Sequence, residues 1–198
     1  MGLSLLDLPL PIKIEPAISL SDEEILAFAC ANEPYRIEQN ARGEIIVMTP
    51  VGGESSSWEA YLNYAVTRWA IETGKGISFS PSAGFRLPDK TLLSPDTSWI
   101  ATDRWESLSK QQQRGFTPFC PDFLIELRSP SDSASAAEEK MDQWMANGAN
   151  LAWLIDPIRK LGIIYRPGQQ PETLHKPEVL EGEGPVAGFR LEMGRFWA

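Results

Sequence analysis

The residues best equipped for chemistry are acids placed inside apolar strands. In Pro121-Asp122-Phe123-Leu124-Ile125-Glu126-Leu127-Arg128, side chains alternate. Phe123, Ile125 and Leu127 face one way; Asp122, Leu124, Glu126 and Arg128 face the other. An ordinary core strand would carry valine or isoleucine at position 126. A carboxylate there is costly to bury unless it is paired or binds a cation. Ser94-Pro95-Asp96-Thr97-Ser98-Trp99-Ile100 repeats the pattern, with Asp96 opening another strand behind a proline that fixes the approach of the chain. Two acids on neighbouring strands supply the hard oxygen ligands that magnesium or manganese takes, with waters retained and room for a phosphate oxygen.

The helix that follows Glu126 supplies a cation. Its apolar stripe is Ala137, Met141, Trp144, Met145 and Gly148, and Lys140 lies roughly 100° from Met141, on the edge of that stripe. From there its stem can lie along the sheet and bring an ammonium to the carboxylates, where it would stabilise charge building on a phosphorus centre. Asp96 and Glu126 are thus the expected metal ligands and Lys140 the expected catalytic partner. Asp122 shares the face of Glu126 but stands about 13 Å away at strand rise; it is read either as a ligand or as a cap that holds the strand. Gln143, three residues beyond Lys140, either lines the same cleft or lies on the surface. Glu59 is offset from the buried side marked by Trp58, Tyr61 and Leu62, which suits a solvated residue.

These residues need a scaffold, and the pattern predicts a mixed α/β sheet with a helix on each face. Residues 1–20 read as an extended arm. Ser21 opens a helix with a capping box closed by Glu24, and Pro34 ends that element. Segments 35–39 and 44–48 read as a hairpin. Trp58, Tyr61, Leu62, Ala65, Val66 and Trp69 mark a long amphipathic helix closed by Gly74 and Gly76. Strands are expected near 77–80, 84–87, 95–101 and 121–128, with a polar excursion at 103–118. A helix over 135–147 capped by Ser135, strands near 151–156 and 161–165, and a last strand in the tail complete the order. No linker divides residues 21–198, so one domain is expected.

Composition narrows the function classes. The chain has 198 residues, a formal charge of -9 and two cysteines, Cys30 and Cys120. The acidic balance argues against coating nucleic acid by bulk attraction but leaves room for a local cationic patch. Arg104, Lys110 and Arg114 in the polar excursion either meet a phosphate backbone or are simply solvated. Two cysteines cannot build a disulfide framework or a four-thiolate zinc site; both are read as small core residues in a reducing cytoplasm. A lone His175 excludes a histidine triad or a His-rich metal site. There is no apolar run of membrane-spanning length, no signal-peptide pattern and no phosphate-cradling glycine motif.

An ordered series of segments resembles the Uma2 family of endonucleases, which has the PD-(D/E)XK, restriction-endonuclease-like fold. The series is Gly84-Phe85-Arg86-Leu87-Pro88, Ser94 to Trp99, Pro121 to Asp132, Lys140-Met141, Asn147-Gly148-Ala149, Trp153 to Pro157 and Ile164 to Gly168. The resemblance implies a metal-dependent nuclease core carrying flanking helices and an N-terminal helix-hairpin extension, with DNA as the substrate and a homodimer as the assembly. Asp96 corresponds to the motif aspartate and Glu126 to the (D/E) position. Two residues on, where the broad motif has lysine, this chain has Arg128, which can act electrostatically but not as a base. Lys140 is then the migrated lysine, and Glu59 falls where this fold often adds an acid.

The reading that follows is a magnesium- or manganese-dependent endonuclease acting on DNA. Its rival is a nuclease scaffold that binds or regulates without turnover, which Arg128 and the acidic surface favour. A glycosidase with paired carboxylates is disfavoured, because sugar chemistry has no use for a trailing lysine.

Overall fold

The computed structural model of the chain describes residues 11–130 and 132–197. The first ten residues of the expected arm lie outside that range. The rest of the arm is tied down: β1 (Ile12–Ile14) pairs antiparallel with β3 (Ile45–Met48), Ile12 opposite Val47. Helix α1 (Asp22–Ala31) has the predicted capping box, in which Ser21 Oγ accepts from the Glu24 amide and Glu24 accepts from the Ser21 amide. Cys30, expected in the core, is exposed on this helix, because its apolar stripe is carried by Ile25, Phe28 and Ala29.

Strand β2 (Arg36–Gln39) pairs with β3 as the hairpin pattern requires. The helix-hairpin is not an appendage, however. With β5 (Phe85–Arg86) and β6 (Leu92–Leu93), a short strand the sequence pattern gave no sign of, it forms a five-stranded antiparallel sheet in the order β1-β3-β2-β6-β5.

The second sheet has six strands in the order β11-β10-β9-β8-β7-β4. They are β4 (Gly76–Phe79), β7 (Thr97–Ala101), β8 (Phe123–Leu127), β9 (Leu151–Asp156), β10 (Leu161–Tyr165) and β11 (Glu172–His175). Only the β8–β9 pair is parallel, and α5 (Ala134–Ala146) makes the crossover it needs. α5 begins two residues earlier than its pattern suggests: Ser133, not Ser135, is the cap, accepting from the Ala136 amide.

Helix α2 (Gly53–Thr73) covers one face of this sheet, packing Leu62, Val66 and Trp69 on Trp99, Phe123, Ile125 and Trp153. Helix α5 covers the other, packing Met141 and Trp144 on Ile100, Leu124, Ala152 and Leu154. The expected helix on each face is therefore present, and the alternation within β7, β8 and β9 sorts their apolar side chains to one core or the other. Gly74 ends α2 in the left-handed region (φ 64°). Gly76 serves the sheet instead of the cap: a Cβ there would sit 2.3 Å from the Ile100 carbonyl and the Trp99 ring.

The polar excursion folds into two short helices, α3 (Thr102–Glu106) and α4 (Lys110–Arg114). The tail adds a hairpin, β12 (Val179–Glu181) with β13 (Arg190–Glu192), which lays Leu180, Phe189 and Leu191 on the α2-side core. Among the described residues no helix is long and apolar enough to cross a membrane.

Candidate active site

The antiparallel register of β7 and β8 sets Thr97 opposite Ile125. One step further along that ladder, Asp96 meets the end of β8 on the face that carries Glu126. The ladder ends here, and the Asp96 side chain continues it: Oδ2 accepts a 2.8 Å hydrogen bond from the Leu127 amide. Asp96 is 5% exposed and Glu126 is 7% exposed. Two carboxylates brought together under an apolar sheet repel each other and lose hydration, so the fold must supply cations or donors.

It supplies two cations. From α5, the Lys140 ammonium stands 3.0 Å from Glu126 Oε1 and 3.0 Å from Glu38 Oε1, and donates to the Ser94 carbonyl at 3.1 Å. Its three N–H groups thus meet three acceptors. From β2, the Arg36 guanidinium forks between Asp96 Oδ1 at 2.9 Å and Glu59 Oε1 at 3.1 Å. The expected placing of Lys140 holds, and Glu59 is not a solvated residue; it is half-buried and faces Asp96.

Neutral donors fix the remaining atoms. The buried Trp144 indole N–H donates to Glu126 Oε1 at 2.7 Å. With Lys140 also on Oε1, Oε2 is left without a hydrogen bond among the described residues. Asn63, one turn beyond Glu59 on α2, donates to the Asp96 carbonyl at 2.9 Å. The Ser94 amide donates to Glu38 Oε1 at 3.1 Å. Arg36, Glu38, Glu59, Asp96, Glu126 and Lys140 therefore line one cavity of about 390 Å³, with Arg128 and Asp132 also on its wall.

The electrostatics follow from burial. Glu126 is pushed up to about 7, by desolvation first, with Asp96 and Glu38 adding and Lys140 opposing. Glu59 also rises to about 7, through burial and then the neighbouring Asp96 charge, with Arg36 opposing. Burial pulls the Lys140 ammonium down, but Glu126 and Glu38 outweigh it and hold it above the usual lysine range. Arg36 behaves alike, with Asp96 and Glu59 outweighing desolvation.

The other sequence candidates lie elsewhere. Asp122 sits at the far end of β8 as a clamp. It accepts from the Ala101 amide and Asn150 Nδ2, each at 2.9 Å, and from Arg104. The Arg104 guanidinium also covers the Phe119 ring at 4.3 Å, so this cation of the polar excursion has partners within the fold. Gln143 turns toward Asp89 and is not part of the cavity wall. Arg128 reaches the cavity wall, yet its guanidinium donates to Asp156 Oδ2 at 2.9 Å and to the Asp132 carbonyl at 3.1 Å. It leaves Glu126 to Lys140, and its work is to join the ends of β8 and β9.

Sequence reasoning missed Arg36, Glu38 and Asn63. A signal existed for the first two: opposite charges two apart share one face of β2, with Ile37 turned to the other. Nothing in the spacing showed that this face closes on Asp96 and Glu126.

Among the described residues no three His, Cys, Asp or Glu side chains form a preformed metal cage. The donor set nevertheless fits magnesium or manganese. Magnesium is commonly held by one or two carboxylates with its waters retained, and Glu126 Oε2 and the second lone pairs of Asp96 border a cavity with space for those waters.

The fold and site define a mixed α/β protein of open sheets with a buried acid–lysine cluster at a strand end. That architecture matches the crystal structure of a "putative nuclease belonging to DUF820" from Anabaena variabilis ATCC 29413, with a TM-score of 0.73 and 20% identity, covering 90% of this chain and 97% of that one. The chain belongs to the Uma2 family, whose model, described as "Putative restriction endonuclease", matches residues 22–194. The DrdV–DNA complex aligns with 77% of this chain and 11% of its own, at 13% identity and a TM-score of 0.38, too remote to bear on the reading. No curated protein matches the chain.

Proposed function

We propose that this protein is a metal-dependent endonuclease that hydrolyses phosphodiester bonds in DNA, with the β7–β8 end, α2 and α5 as a PD-(D/E)XK core. One observation carries the reading: Asp96 and Glu126 converge on one sheet face with the Lys140 ammonium 3.0 Å from Glu126. Magnesium or manganese, when bound, supplies Lewis acidity toward water and a phosphoryl oxygen. Asp96 and Glu126 would hold it. The Leu127 amide and the Trp144 indole orient those two carboxylates, so their ordering is complete before a ligand arrives. Lys140, held charged by Glu38 and Glu126, places positive potential where charge grows on the phosphate. It acts as an electrostatic group, because a lysine with three acceptors and a raised affinity for its proton is a poor base. Cutting both strands of a duplex calls for two such sites, so a homodimer is part of this proposal.

Supercoiled plasmid incubated with manganese tests it. Wild type is expected to nick or linearise the plasmid; Asp96→Ala and Glu126→Ala are expected to lose at least about a thousandfold in rate while retaining a cooperative melt. Undiminished cleavage by either variant removes the assignment. A second reading, a binding module without turnover, is favoured by the hydrogen bonds that already engage both Asp96 oxygens. Calorimetric titration with manganese at neutral pH separates the two, since absence of binding to wild type selects the inert scaffold.

A further inference from the structure

Arg36 already engages Asp96, one of the two acids proposed above to hold the metal. Its guanidinium contacts Asp96 Oδ1 at 2.9 Å and Glu59 Oε1 at 3.1 Å, while Asp96 Oδ2 is held by the Leu127 amide. Asp96 therefore has no oxygen free of a donor. Glu126 differs, since both of its contacts fall on one oxygen. A divalent ion approaching from the cavity finds Glu126 open and Asp96 already neutralised by a resident cation.

The geometry shows where Arg36 can go. The same planar fork spans Asp96 and Glu59, so yielding Asp96 leaves the guanidinium anchored on Glu59 without withdrawal from the cavity. Glu59 is set on α2, and Asn63 one turn later grips the Asp96 backbone, so the distance between the two carboxylates is fixed by the helix and not by Arg36. Guanidinium is weakly hydrated and suited to planar oxygen pairs, a phosphate included.

We propose that Arg36 is an internal placeholder cation. It occupies Asp96 in the metal-free protein, is displaced by the divalent ion onto Glu59, and there turns its freed N–H groups toward a phosphate of the substrate. Glu59 is the positioning residue that keeps Arg36 at the cavity after displacement. The inference rests on the metal-binding reading of Asp96 and Glu126 given above, and it assigns Arg36 an antagonistic role in metal binding and a favourable one in binding a phosphodiester.

The test is the sign of a change in manganese affinity, measured by titration calorimetry on the full chain. A purely structural Arg36 aims Asp96, so its loss weakens binding. A placeholder competes, so Arg36→Met is expected to bind manganese at least tenfold more tightly than wild type while melting at a lower temperature without metal. Glu59→Gln, nearly isosteric, leaves Arg36 with Asp96 alone and is expected to weaken manganese binding severalfold. Arg36→Lys, which keeps charge but cannot fork, is expected to tighten it by a smaller factor and serves if Arg36→Met does not fold. In calcium, a short duplex carrying a fluorophore should bind Arg36→Met more weakly than wild type despite the tighter metal. Weaker or unchanged manganese binding in both Arg36 variants overturns the placeholder alone. No manganese binding to wild type or any variant overturns the metal reading and this inference with it.

Discussion

Glu126 is the residue on which the local physics is most concentrated. It lies under a sheet, beside a second carboxylate, and is pushed from the ordinary 4.5 up to about 7. The folded protein therefore binds a proton there that the unfolded chain releases near pH 4.5. Stability from this group is fully present below that value and is lost as pH rises toward 7. Glu59, raised to about 7, adds a slope of the same sign. The metal-free protein is expected to melt at progressively lower temperature between pH 5 and pH 7.5, and Glu126→Gln to flatten part of that decline. Manganese is expected to raise the melting temperature more at pH 7.5 than at pH 5.5, because protons compete for the same oxygens. An unchanged slope in Glu126→Gln, read by circular dichroism melts, would remove burial of this carboxyl as the cause.

At the scale of elements, strand β8 is held differently at its two ends. The Glu126 end gathers charges around a cavity, whereas the Asp122 end closes the fold. Asp122 joins the end of β7, helix α3 and the start of β9 through three donors on one buried carboxylate. Asp122→Ala leaves those donors and the Arg104 charge without their acceptor and is expected to cost about 3 kcal/mol, measured by urea unfolding. Manganese affinity of the folded fraction should stay within twofold of wild type. A large loss of metal affinity with intact stability would instead make Asp122 a ligand. Arg128 belongs to the same class of element-scale work. Burial opposes ionisation of Asp156, but hydrogen bonds from Arg159 and Arg128 outweigh it and hold that carboxylate below its usual range, which locks the end of β9 to β8.

The whole molecule carries a formal charge of -9, an unfavourable background for a polyanionic partner. Any grip on DNA must then come from a few focused cations and a bound divalent ion. Binding of a short duplex in calcium is expected to fall with salt at a logarithmic slope no steeper than about -3, the yield of roughly three phosphate contacts. Fluorescence anisotropy over a salt series reads this slope. A slope nearer -7 would place the contact on a broad basic face that the charge distribution does not favour.

The primary structure determined the acids, the three longer helices α1, α2 and α5 and most strands of this protein, because those follow from local periodicity. Glu126 within Phe123–Leu127, the capping box at Ser21 and the stripe of Trp58 to Trp69 are short-range patterns that need no partner to be read. Lys140 was legible through helical geometry, as an ammonium on the rim of an apolar stripe. The identity of its three acceptors was not, since Glu38 and Ser94 are 102 and 46 residues away. Only the tertiary structure decided that Arg36 and Glu59 join Asp96, that Asp122 and Gln143 turn elsewhere, and that Arg128 serves Asp156. Each of those outcomes depends on which sheet a strand enters and how two sheets close over one another. A charged side chain takes the nearest opposite charge the packed chain presents, and that neighbour is fixed by long-range closure and not by spacing along the sequence.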